Sequence, residues 1–439
     1  MGLAHVPGPN EHILPPDHAS RMQLANEVHA RPPEALGTPC RATYVAVLIG
    51  AEERSRELAH VAQLCKHFGA APPAPGDTHY SVQLGDIRFK WERHGEFSGL
   101  TMLVAGLSPT PFSEPVARLL PPGWLSELPG TTLVAAHAKL IPSDGEPLDA
   151  ATLARLFDGN LVVGGEIGGA AGYAYTDFKV HADGFGRFVI CNGNLTERQA
   201  GRTLQRVFEI ETYRMLALLA LPIARELSPR ISQIESALAS LTARIAVEGA
   251  EDESLLQELT RLAAEIERIL SSSQFRFAAC RAYHELVNSR IADLRESRVP
   301  GIQPISEFMT RRFGPAIATC FAASQRLRDL SEPVAQASAL LSTRVDIARE
   351  RQNQLLLSSM ERRARLQLRL QQTVEGLSVA AIVYYVAGLL GYLAKAAKAT
   401  GVPINPDLAV GAAIPLTVAA VVWALRRARK AIHAHETHS

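Results

Sequence analysis

The sequence predicts an α+β N-terminal domain with a largely antiparallel sheet, followed by a long helical coiled-coil bundle and a C-terminal two-helix transmembrane hairpin. Three observations lead to this fold class. Short apolar runs alternate with turn-forming residues up to about residue 193. Helix-forming residues then continue to residue 375, with apolar side chains at alternating steps of four and three. The last part of the chain contains two stretches without a charged residue, each long enough to cross a bilayer.

Residues 1–193 form the predicted N-terminal domain, in which strands and helices come in mixed order. The apolar run "ATYVAVLIG" indicates a buried strand, and residues 52–68 have helical spacing. Turn residues join "YSVQL", "DIRFKWERH" and "FSGLTMLVAG", which predicts an antiparallel meander. Residues 148–157 indicate a short helix, and later strands are indicated by "TTLVAAHAKLI", "NLVVGGEI", "GYAYTDFKVH" and "GRFVICNG". This order predicts an α+β domain.

Residues 194–375 form the predicted coiled-coil stalk, which opens at a capping box made by Thr196 and Gln199. Apolar residues then recur at an average spacing of 3.5, which is the a/d seam of a coiled coil. The members of this seam are Leu227, Ile231, Ile234, Leu238, Leu241, Ile245, Leu255, Leu259, Leu262, Ile266 and Ile269, continued less regularly by Val287, Ile291 and Leu294. A third stretch, residues 306–375, carries a weaker stripe and an arginine-rich face. We expect three long helices to pack as an antiparallel bundle.

Residues 376–394 and 408–425 are the two predicted transmembrane helices. Each measures about 27 to 29 Å as a helix, which is enough to cross the hydrocarbon core of a bilayer. The alternative is a pair of buried core helices in a soluble protein. Ala387 and Gly391 in the first span have a small-x-x-x-small spacing, which makes them candidate helix-contact positions in the membrane.

Basic residues predict the orientation of this hairpin. Four arginines precede the first span and four basic residues follow the second, whereas the loop at residues 395–407 holds two lysines. Because basic residues stay on the cytoplasmic side, the N-terminal region and the basic tail at residues 426–439 should be cytoplasmic and the loop external. The first twenty residues contain no apolar h-region, so we expect no secretory signal peptide.

Composition and motifs argue against several classes of function. The formal net charge is +1, from 45 basic and 44 acidic residues, so we expect no nucleic-acid partner. The five cysteines form no Cys-x-x-Cys pair, which argues against a zinc site and a disulfide framework. The chain has no Gly-Lys dipeptide of a P-loop, no His-Glu-x-x-His and no Gly-x-Ser-x-Gly, and the glycines of "VVGGEIGGAAGY" fit a strand-turn-strand junction. We therefore expect a protein without enzymatic activity, metal or cofactor.

The stretch "NEVHARPP" brings Asn26, Glu27, His29 and Arg31 together just before the first predicted strand. Glu27 and His29 could make an acid–base pair, with Arg31 as an anion clamp. The alternative role is structural: His29 or Arg31 would bind backbone groups, and the two prolines would fix an extended entry to the sheet. Because no nucleophile or metal ligand occurs at a matching spacing, these four residues are a candidate cluster for either ligand binding or structure.

Three segments carry a resemblance to a known family: "NEVHARPP", "GRTLQRVFEIETYRMLALLALP" and "QQTVEGLSVAAIVYYVAGLLGYLAK". The chain resembles, over nearly its full length, a family of uncharacterised membrane-anchored proteobacterial proteins known only as a domain of unknown function. This resemblance implies a bacterial inner-membrane protein with a large cytoplasmic part. The architecture is also similar to that of CorA-type divalent-cation channels, which use a Gly-Met-Asn motif after the first span; here no methionine follows Met360.

These observations favour an oligomeric protein that is anchored in the bacterial inner membrane and binds a ligand or protein partner through its large cytoplasmic region. The expected partners are the lipid bilayer, further copies of the chain and a cytoplasmic protein. The alternative is a CorA-like oligomeric divalent-cation channel or transporter that lacks the Gly-Met-Asn motif. An enzyme that uses Glu27, His29 and Arg31 is the third hypothesis.

Overall fold

The N-terminal part of the chain folds around one β-sheet. The computed structural model describes residues 17–22, 24–25, 32–108, 112–247, 252–399, 401 and 405–436. The sheet contains eight strands in these residues: β1 (Cys40–Leu48), β2 (His79–Leu84), β3 (Ile87–Arg93), β4 (Phe97–Ala105), β5 (Thr131–Pro142), β6 (Val163–Ile167), β7 (Gly172–Thr176) and β8 (Gly186–Asn192). Two helices lie between strands in the sequence: α1 (Arg54–His67) follows β1, and α2 (Ala150–Leu156) follows β5.

The strand order in the sheet is β2-β3-β4-β1-β5-β8-β7-β6. Neighbouring strands are antiparallel, except that β5 and β8 are parallel. The predicted largely antiparallel sheet and the β2-β3-β4 meander are therefore confirmed. Strand β1 lies in the interior of the sheet and is buried on both faces, which explains why "ATYVAVLIG" is apolar at consecutive positions.

Helices cover both faces of the sheet. On one face, Leu64 of α1 and Trp91 of β3 belong to the same buried core, and α2 packs further along that face against β7 and β8. The opposite face is covered by α3 (Glu197–Leu218). There Tyr44 of β1 stacks on Phe208 of α3, with ring centroids 4.7 Å apart. Side chains that alternate along one strand therefore enter two separate cores.

The helical region continues from α3 with α4 (Ala220–Ile245), α5 (Asp252–Leu294) and α6 (Ile305–Ala399), and α7 (Pro406–Glu436) ends the described chain. The capping box predicted before α3 is present, because the Thr196 N–H donates to Gln199 Oε1 over 2.9 Å. The sequence predicts one helical stretch from Thr196 to about Val247, but the structure divides it into α3, which lies on the sheet, and α4, which lies in the bundle. The division at Leu219 precedes Pro222, which has no N–H with which to continue the α3 hydrogen-bond ladder.

The bundle buries the predicted apolar seam within α4, α5 and α6. Twelve of the predicted seam residues are buried: Ile231, Ile234, Leu238, Leu241, Leu255, Leu259, Leu262, Ile266, Ile269, Val287, Ile291 and Leu294. Ion pairs also join the helices, including Arg244 of α4 with Glu258 of α5 at 3.1 Å and Arg326 of α6 with Glu235 of α4 at 2.6 Å. The bundle therefore combines an interior of apolar side chains with charged contacts at its surface.

The loop between α5 and α6 covers the free edge of β6. The Gly164 N–H donates to the Gln303 carbonyl over 2.9 Å, and Glu166 exchanges two backbone hydrogen bonds with Ser297, of 3.0 and 2.7 Å. These bonds close a strand edge that would otherwise be exposed, and they join the bundle to the sheet. The predicted strand-turn-strand junction is confirmed as the β6–β7 hairpin, in which a Cβ on Gly165 would lie 2.6 Å from the Ser297 carbonyl oxygen.

Gly165→Ala should therefore destabilise the contact between the bundle and the sheet. The added methyl group would push the Ser297 backbone away from β6, and we expect a loss of about 2 kcal/mol in the free energy of unfolding. Denaturant titration followed by circular dichroism measures this loss. Gly95→Ala is the control, because nothing lies within 4 Å of a Cβ at Gly95. Equal stability of the two variants would contradict the account of this edge.

The C-terminal end of the chain holds two helices that are long and apolar enough to cross a membrane, by length and composition. The first is α6, whose most apolar 18-residue segment has a mean hydropathy of 1.9. The second is Pro406–Ala424 of α7, whose most apolar segment has a mean hydropathy of 1.8. No residue of either apolar segment is buried inside the protein, whereas the residues of a core helix in a soluble domain are mostly buried. Helix α6 passes residue 375 without interruption, so the bundle helix and the first apolar stretch are one continuous helix.

Candidate functional site

The candidate cluster predicted from "NEVHARPP" lies outside the described residues, since Asn26, Glu27, His29 and Arg31 all belong to the part that the structure does not describe. The described chain resumes with the two prolines that end this stretch, followed by Glu34. Glu34 lines a cavity on the α3 face of the sheet. The cavity is the candidate functional site.

Of the two predicted helix-contact residues in the first apolar stretch, Gly391 lies beside α7. Ala387 and Gly391 are half-buried, whereas Tyr384 and Tyr385 are exposed. A Cβ on Gly391 would lie 3.4 Å from Val410 Cγ2 of α7, which is ordinary van der Waals contact. Helix contact at Ala387 therefore stays a prediction from the small-x-x-x-small spacing.

The cavity has a volume of about 300 Å³ and lies between the sheet and α3. Strands β1, β3 and β4 form its floor, α3 and Arg290 of α5 form its wall, and the segment before β1 borders it. Its lining combines charged and apolar side chains: Glu34, Leu36, Tyr44, Lys90, Glu92, His94, Phe97, Thr101, Leu103, Gly201, Leu204, Gln205, Phe208, Glu209, Thr212, Tyr213 and Arg290. A concave site with a few convergent polar groups is typical of small-molecule binding.

An ion pair forms part of the floor of the cavity. Lys90 Nζ lies 2.9 Å from Glu92 Oε1, and only 6% and 11% of the two side chains are exposed. The residues are two apart on β3, so both project to the same face, and Lys90 lies opposite Thr101 of β4. Desolvating such a pair costs about as much free energy as the attraction returns. The pair therefore contributes charge and hydrogen-bonding groups to the cavity more than stability to the fold.

A second ion pair forms the wall. Arg290 of α5 binds the Glu209 carboxylate of α3, and the Gln205 side-chain amide donates to the same carboxylate over 2.8 Å. Burial acts to lower the pKa of Arg290, but the Glu209 carboxylate outweighs it, and the net shift is upward. The Oε1 atom of Gln205 is buried without a hydrogen-bond partner among the described residues. A ligand donor in the cavity would satisfy this oxygen.

The rim of the cavity is formed by the segment that leads into β1. Glu34 accepts from Arg88 Nε over 3.0 Å and from the Ser81 hydroxyl, and the Leu36 N–H donates to the Glu197 carbonyl over 3.0 Å. The segment crosses α3 at Gly201, where a Cβ would lie only 1.7 Å from the Glu34 carbonyl oxygen. Glycine at position 201 therefore allows the segment to lie against α3 and to close the cavity on this side.

Aromatic and hydroxyl groups complete the floor. The Tyr44 hydroxyl lies 3.0 Å from Thr212 Oγ1, and its ring lies over Gly99, where a Cβ would come within 3.2 Å of the ring. Burial raises the pKa of Tyr44, and the Thr212 hydroxyl opposes this shift. Tyr44 therefore stays protonated at neutral pH and offers a neutral hydroxyl rather than a phenolate.

The cavity places charges of both signs within one small volume. Lys90 and Arg290 can bind a carboxylate, whereas Glu34, Glu92 and Glu209 can bind an ammonium group. Among the residues that the structure describes, no group of three or more His, Cys, Asp or Glu side chains could hold a metal ion. The geometry therefore suits a small molecule that carries a positive and a negative group.

The residues of the cavity were not identified from the sequence. Lys90 and Glu92 alternate with Phe89 and Trp91 in β3, a pattern that normally indicates a solvent-exposed face. In this protein both faces of the sheet are covered by helices. The only sign of the cavity in the sequence of β3 is the pair of opposite charges at Lys90 and Glu92, two residues apart. The second cationic side chain of the cavity, Arg290, comes from α5, about 200 residues further along the chain.

The comparisons with known proteins define the family but no activity. No curated protein and no solved structure matches the chain. The family model of a protein of unknown function (DUF3422) matches residues 16–432, which include the cavity, the bundle and both apolar helices. The chain therefore belongs to the DUF3422 family of proteins of unknown function.

Proposed function

We propose that this protein is a membrane-anchored binding protein whose cytoplasmic domain holds a small zwitterionic molecule in the cavity between the sheet and α3. The cavity carries the proposal, because a nearly buried ion pair, Lys90–Glu92, and a partly exposed one, Arg290–Glu209, both line one volume of about 300 Å³. That volume is at the lower end of the range for small-molecule sites, roughly 300 to 1,000 Å³, so the ligand must be small.

The chemistry of binding follows from these pairs. A ligand carboxylate would bind between Lys90 and Arg290, and a ligand ammonium group would replace part of the cationic contact of Glu92 or Glu209. Because Lys90 and Glu92 are already largely desolvated, a ligand charge that binds to either of them would add little desolvation cost for the protein. A ligand with only a carboxylate would draw Lys90 or Arg290 away from its glutamate and leave that glutamate without a cation. A zwitterion would supply the missing cation, and we expect this difference in binding free energy to give specificity.

A thermal-unfolding screen of free amino acids tests this proposal. Each amino acid is compared with its N-acetyl derivative, which lacks the positive charge, and with its amide, which lacks the negative charge. We expect at least one free amino acid to raise the unfolding temperature of the full-length protein while its two derivatives do not. The proposal would be wrong if no zwitterion stabilised the protein, or if the derivatives stabilised it equally.

Membrane anchoring in the bacterial inner membrane, with both ends of the chain in the cytoplasm, is part of the same proposal. It is supported by the two uncharged stretches at residues 376–394 and 408–425, by the exposed surfaces of their helices and by the arginines that flank them. The cavity would then be in the cytoplasm and would sample the cytoplasmic pool of small molecules. A periplasm-dependent reporter fused to Ser439 should be inactive, and an active reporter would contradict this orientation.

Homo-oligomer formation is supported by an exposed part of α6. Residues 346–374 are exposed throughout, which corresponds to about 43 Å of helix without cover. Large apolar side chains on this segment are exposed: Leu355, Leu356, Leu357, Met360, Leu366, Leu368, Leu370 and Val374. Because long single helices depend on packing for most of their stability, we propose that the same segment of a second copy covers these side chains.

The oligomer has a direct test in detergent solution. We expect light scattering with size-exclusion chromatography to give a protein mass that is a multiple of 47.5 kDa. Leu356→Glu combined with Leu370→Glu should reduce that mass to one chain, because the charges could not be buried between helices. Ser358→Glu is the matched control on the same exposed segment and should leave the oligomer intact. A wild-type monomer would contradict the proposal.

A CorA-like divalent-cation channel is the second candidate. The observation that favours it is α6 itself, a single helix that runs from the cytoplasmic bundle through the first apolar stretch and is followed by a hairpin. The loop at residues 395–407 contains no Gly-Met-Asn motif, which places this function second. Uptake of Mg²⁺ or Co²⁺ into proteoliposomes, followed with an internal dye, distinguishes the two candidates.

A further inference from the structure

The two edges of the sheet differ in how they are covered. The edge at β6 is bound by the backbone of Ser297 and Gln303 in the loop between α5 and α6. The edge at β2 has no such cover, because β2 pairs with β3 and with no other segment among the described residues. A free edge offers unpaired backbone groups to a further strand, and folded proteins normally cover or block it. Strand β2 is therefore a candidate interaction surface.

The pairing of β2 with β3 determines which backbone groups face outwards. Hydrogen-bonded and non-hydrogen-bonded pairs alternate along an antiparallel ladder, so every second residue of β2 points its N–H and C=O away from β3. Just before β2, the Arg93 N–H donates to the Thr78 carbonyl over 2.7 Å, which fixes the phase of this alternation. The residues that face outwards are His79, Ser81 and Gln83. Their backbone groups make no hydrogen bond to another segment among the described residues.

Strand β2 lacks the features that normally block an edge. Its sequence, "HYSVQL", contains no proline and no permanently charged residue, and its register with β3 is regular. Tyr80 and Val82 are half-exposed, although both pack against the core on the α1 side of the sheet. A further strand beside β2 would remove the exposed apolar surface of these two side chains from water.

The same strand of a second copy fits this edge. Two copies of β2 can pair antiparallel about a two-fold axis at Ser81, which places His79 of each copy opposite Gln83 of the other. All outward backbone groups of the two strands then have a partner. In this register Tyr80 lies opposite Val82 of the second copy. Pairs of an aromatic and a β-branched residue stabilise antiparallel strands, so the edge is complementary to itself.

The charges at the ends of β2 also suit this register. Asp77 and Asp86 would lie opposite Gly85 and Gly76 of the second copy. Like charges directly opposite each other destabilise a strand pair, and here no carboxylate faces another. Two copies can therefore approach along β2 without electrostatic repulsion.

We propose that β2 pairs with β2 of a second copy and joins the two sheets into one. The strand is short, so this contact alone buries less surface than a stable dimer needs. The inference therefore rests on the proposed function: the exposed segment of α6 holds the copies together and raises the local concentration at which the two edges meet. The β2 contact and the exposed segment of α6 share no residue, so each can be changed separately.

Single cysteines in the full-length protein in detergent solution test the register. On oxidation with copper phenanthroline, Ser81→Cys should give a disulfide-linked dimer. Opposite Cα atoms of a hydrogen-bonded pair lie about 5.5 Å apart, within the range of roughly 4.4 to 6.8 Å that a disulfide spans. Gln83→Cys is the matched control on the same face of β2, and it should not cross-link, because its two copies would lie about 14 Å apart along the strands. The five native cysteines are buried, so the wild type should stay uncross-linked.

A proline at the edge should remove the contact and preserve β2. The Gln83 N–H faces away from β3, so Gln83→Pro leaves the ladder between β2 and β3 intact. Combined with Ser81→Cys, it should abolish the cross-link, whereas light scattering should still give the wild-type mass because α6 holds the oligomer. If this variant does not fold, as judged by circular dichroism, Gln83→Lys replaces it, because a lysine on an edge strand opposes pairing.

The outcomes separate this contact from the one at α6. An oligomeric wild type in which Ser81→Cys does not cross-link, or cross-links no more than Gln83→Cys, would overturn the β2 contact and leave the α6 contact standing. A cross-link that survives both edge substitutions would also overturn it. A monomeric wild type would overturn both contacts.

Discussion

Gly201→Ala should lower the free energy of unfolding by about 3 kcal/mol and should also abolish ligand binding in the cavity. Alanine normally stabilises a helix interior by about 1 kcal/mol relative to glycine. At position 201, however, its Cβ would lie 1.7 Å from the Glu34 carbonyl oxygen, which is backbone and cannot rotate away. The segment that carries Glu34 must therefore leave α3, and the cavity loses one side.

The matched control is Gly314→Ala, at the start of the long uninterrupted part of α6, where the nearest atom to an added Cβ is the Met309 carbonyl oxygen at 3.8 Å. This variant should be as stable as the wild type or slightly more stable. Denaturant titration measures both variants, and the thermal screen measures the ligand response. If Gly201→Ala behaved like Gly314→Ala, the rim segment would not form the side of the cavity that we describe.

Two arginines in the apolar helices should remove the protein from the membrane. Leu389 of α6 and Leu416 of α7 are 66% and 72% exposed, so their replacement does not disturb contacts within the chain. One arginine at the centre of a transmembrane helix costs about 2.5 to 3.5 kcal/mol on insertion scales. Leu389→Arg combined with Leu416→Arg should therefore shift most of the protein from the alkaline-washed membrane fraction to the soluble or aggregated fraction.

Leu389→Ala combined with Leu416→Ala controls for the loss of the two leucines and should remain in the membrane fraction. Immunoblots of washed membranes and supernatants quantify all three proteins. Retention of the double arginine variant at the wild-type level, or release of the wild type by the alkaline wash, would contradict membrane anchoring.

Local patterns in the sequence were sufficient to predict most of the fold. The a/d seam at Ile231, Ile234 and Leu238 predicts a buried helix face because its spacing depends only on helix geometry, and these residues are buried. The capping box at Thr196 and Gln199 likewise depends on four consecutive residues and is present. Such features need no knowledge of how distant segments meet.

The cavity could not be predicted in this way, because its residues meet only through long-range packing. Lys90 and Glu92 face α3 only because the sheet order brings β3 beside β4 and β1 under that helix. Arg290 reaches Glu209 only because α5 returns along α3 after a long excursion through the bundle. The division of the helical stretch at Leu219, by contrast, has a local signal in Pro222, which lacks the N–H needed to continue the α3 hydrogen-bond ladder.

The acid–base hypothesis for "NEVHARPP" stays a prediction, since Glu27, His29 and Arg31 lie outside the described residues. The neighbouring Glu34 nevertheless shows what sequence spacing alone misses. Glu34 belongs to no recognisable motif. Its place at the rim of the cavity is evident only from the structure, in which Arg88 of β3 binds its carboxylate. Sequence patterns therefore identify helices and strands well. A site that takes one residue from each of several helices and strands can be identified only once the structure shows which of them meet.

The central claim is that the cavity between the sheet and α3 binds a zwitterion. Calorimetric titration of the best-stabilising amino acid into the wild type and into the Lys90→Met, Glu92→Met double variant tests it most directly. Replacing both partners of a buried ion pair by apolar residues of similar size typically preserves stability, so the variant should unfold at the wild-type temperature or above it. The account predicts at least a hundredfold loss of affinity in this variant. An affinity equal to that of the wild type would contradict it.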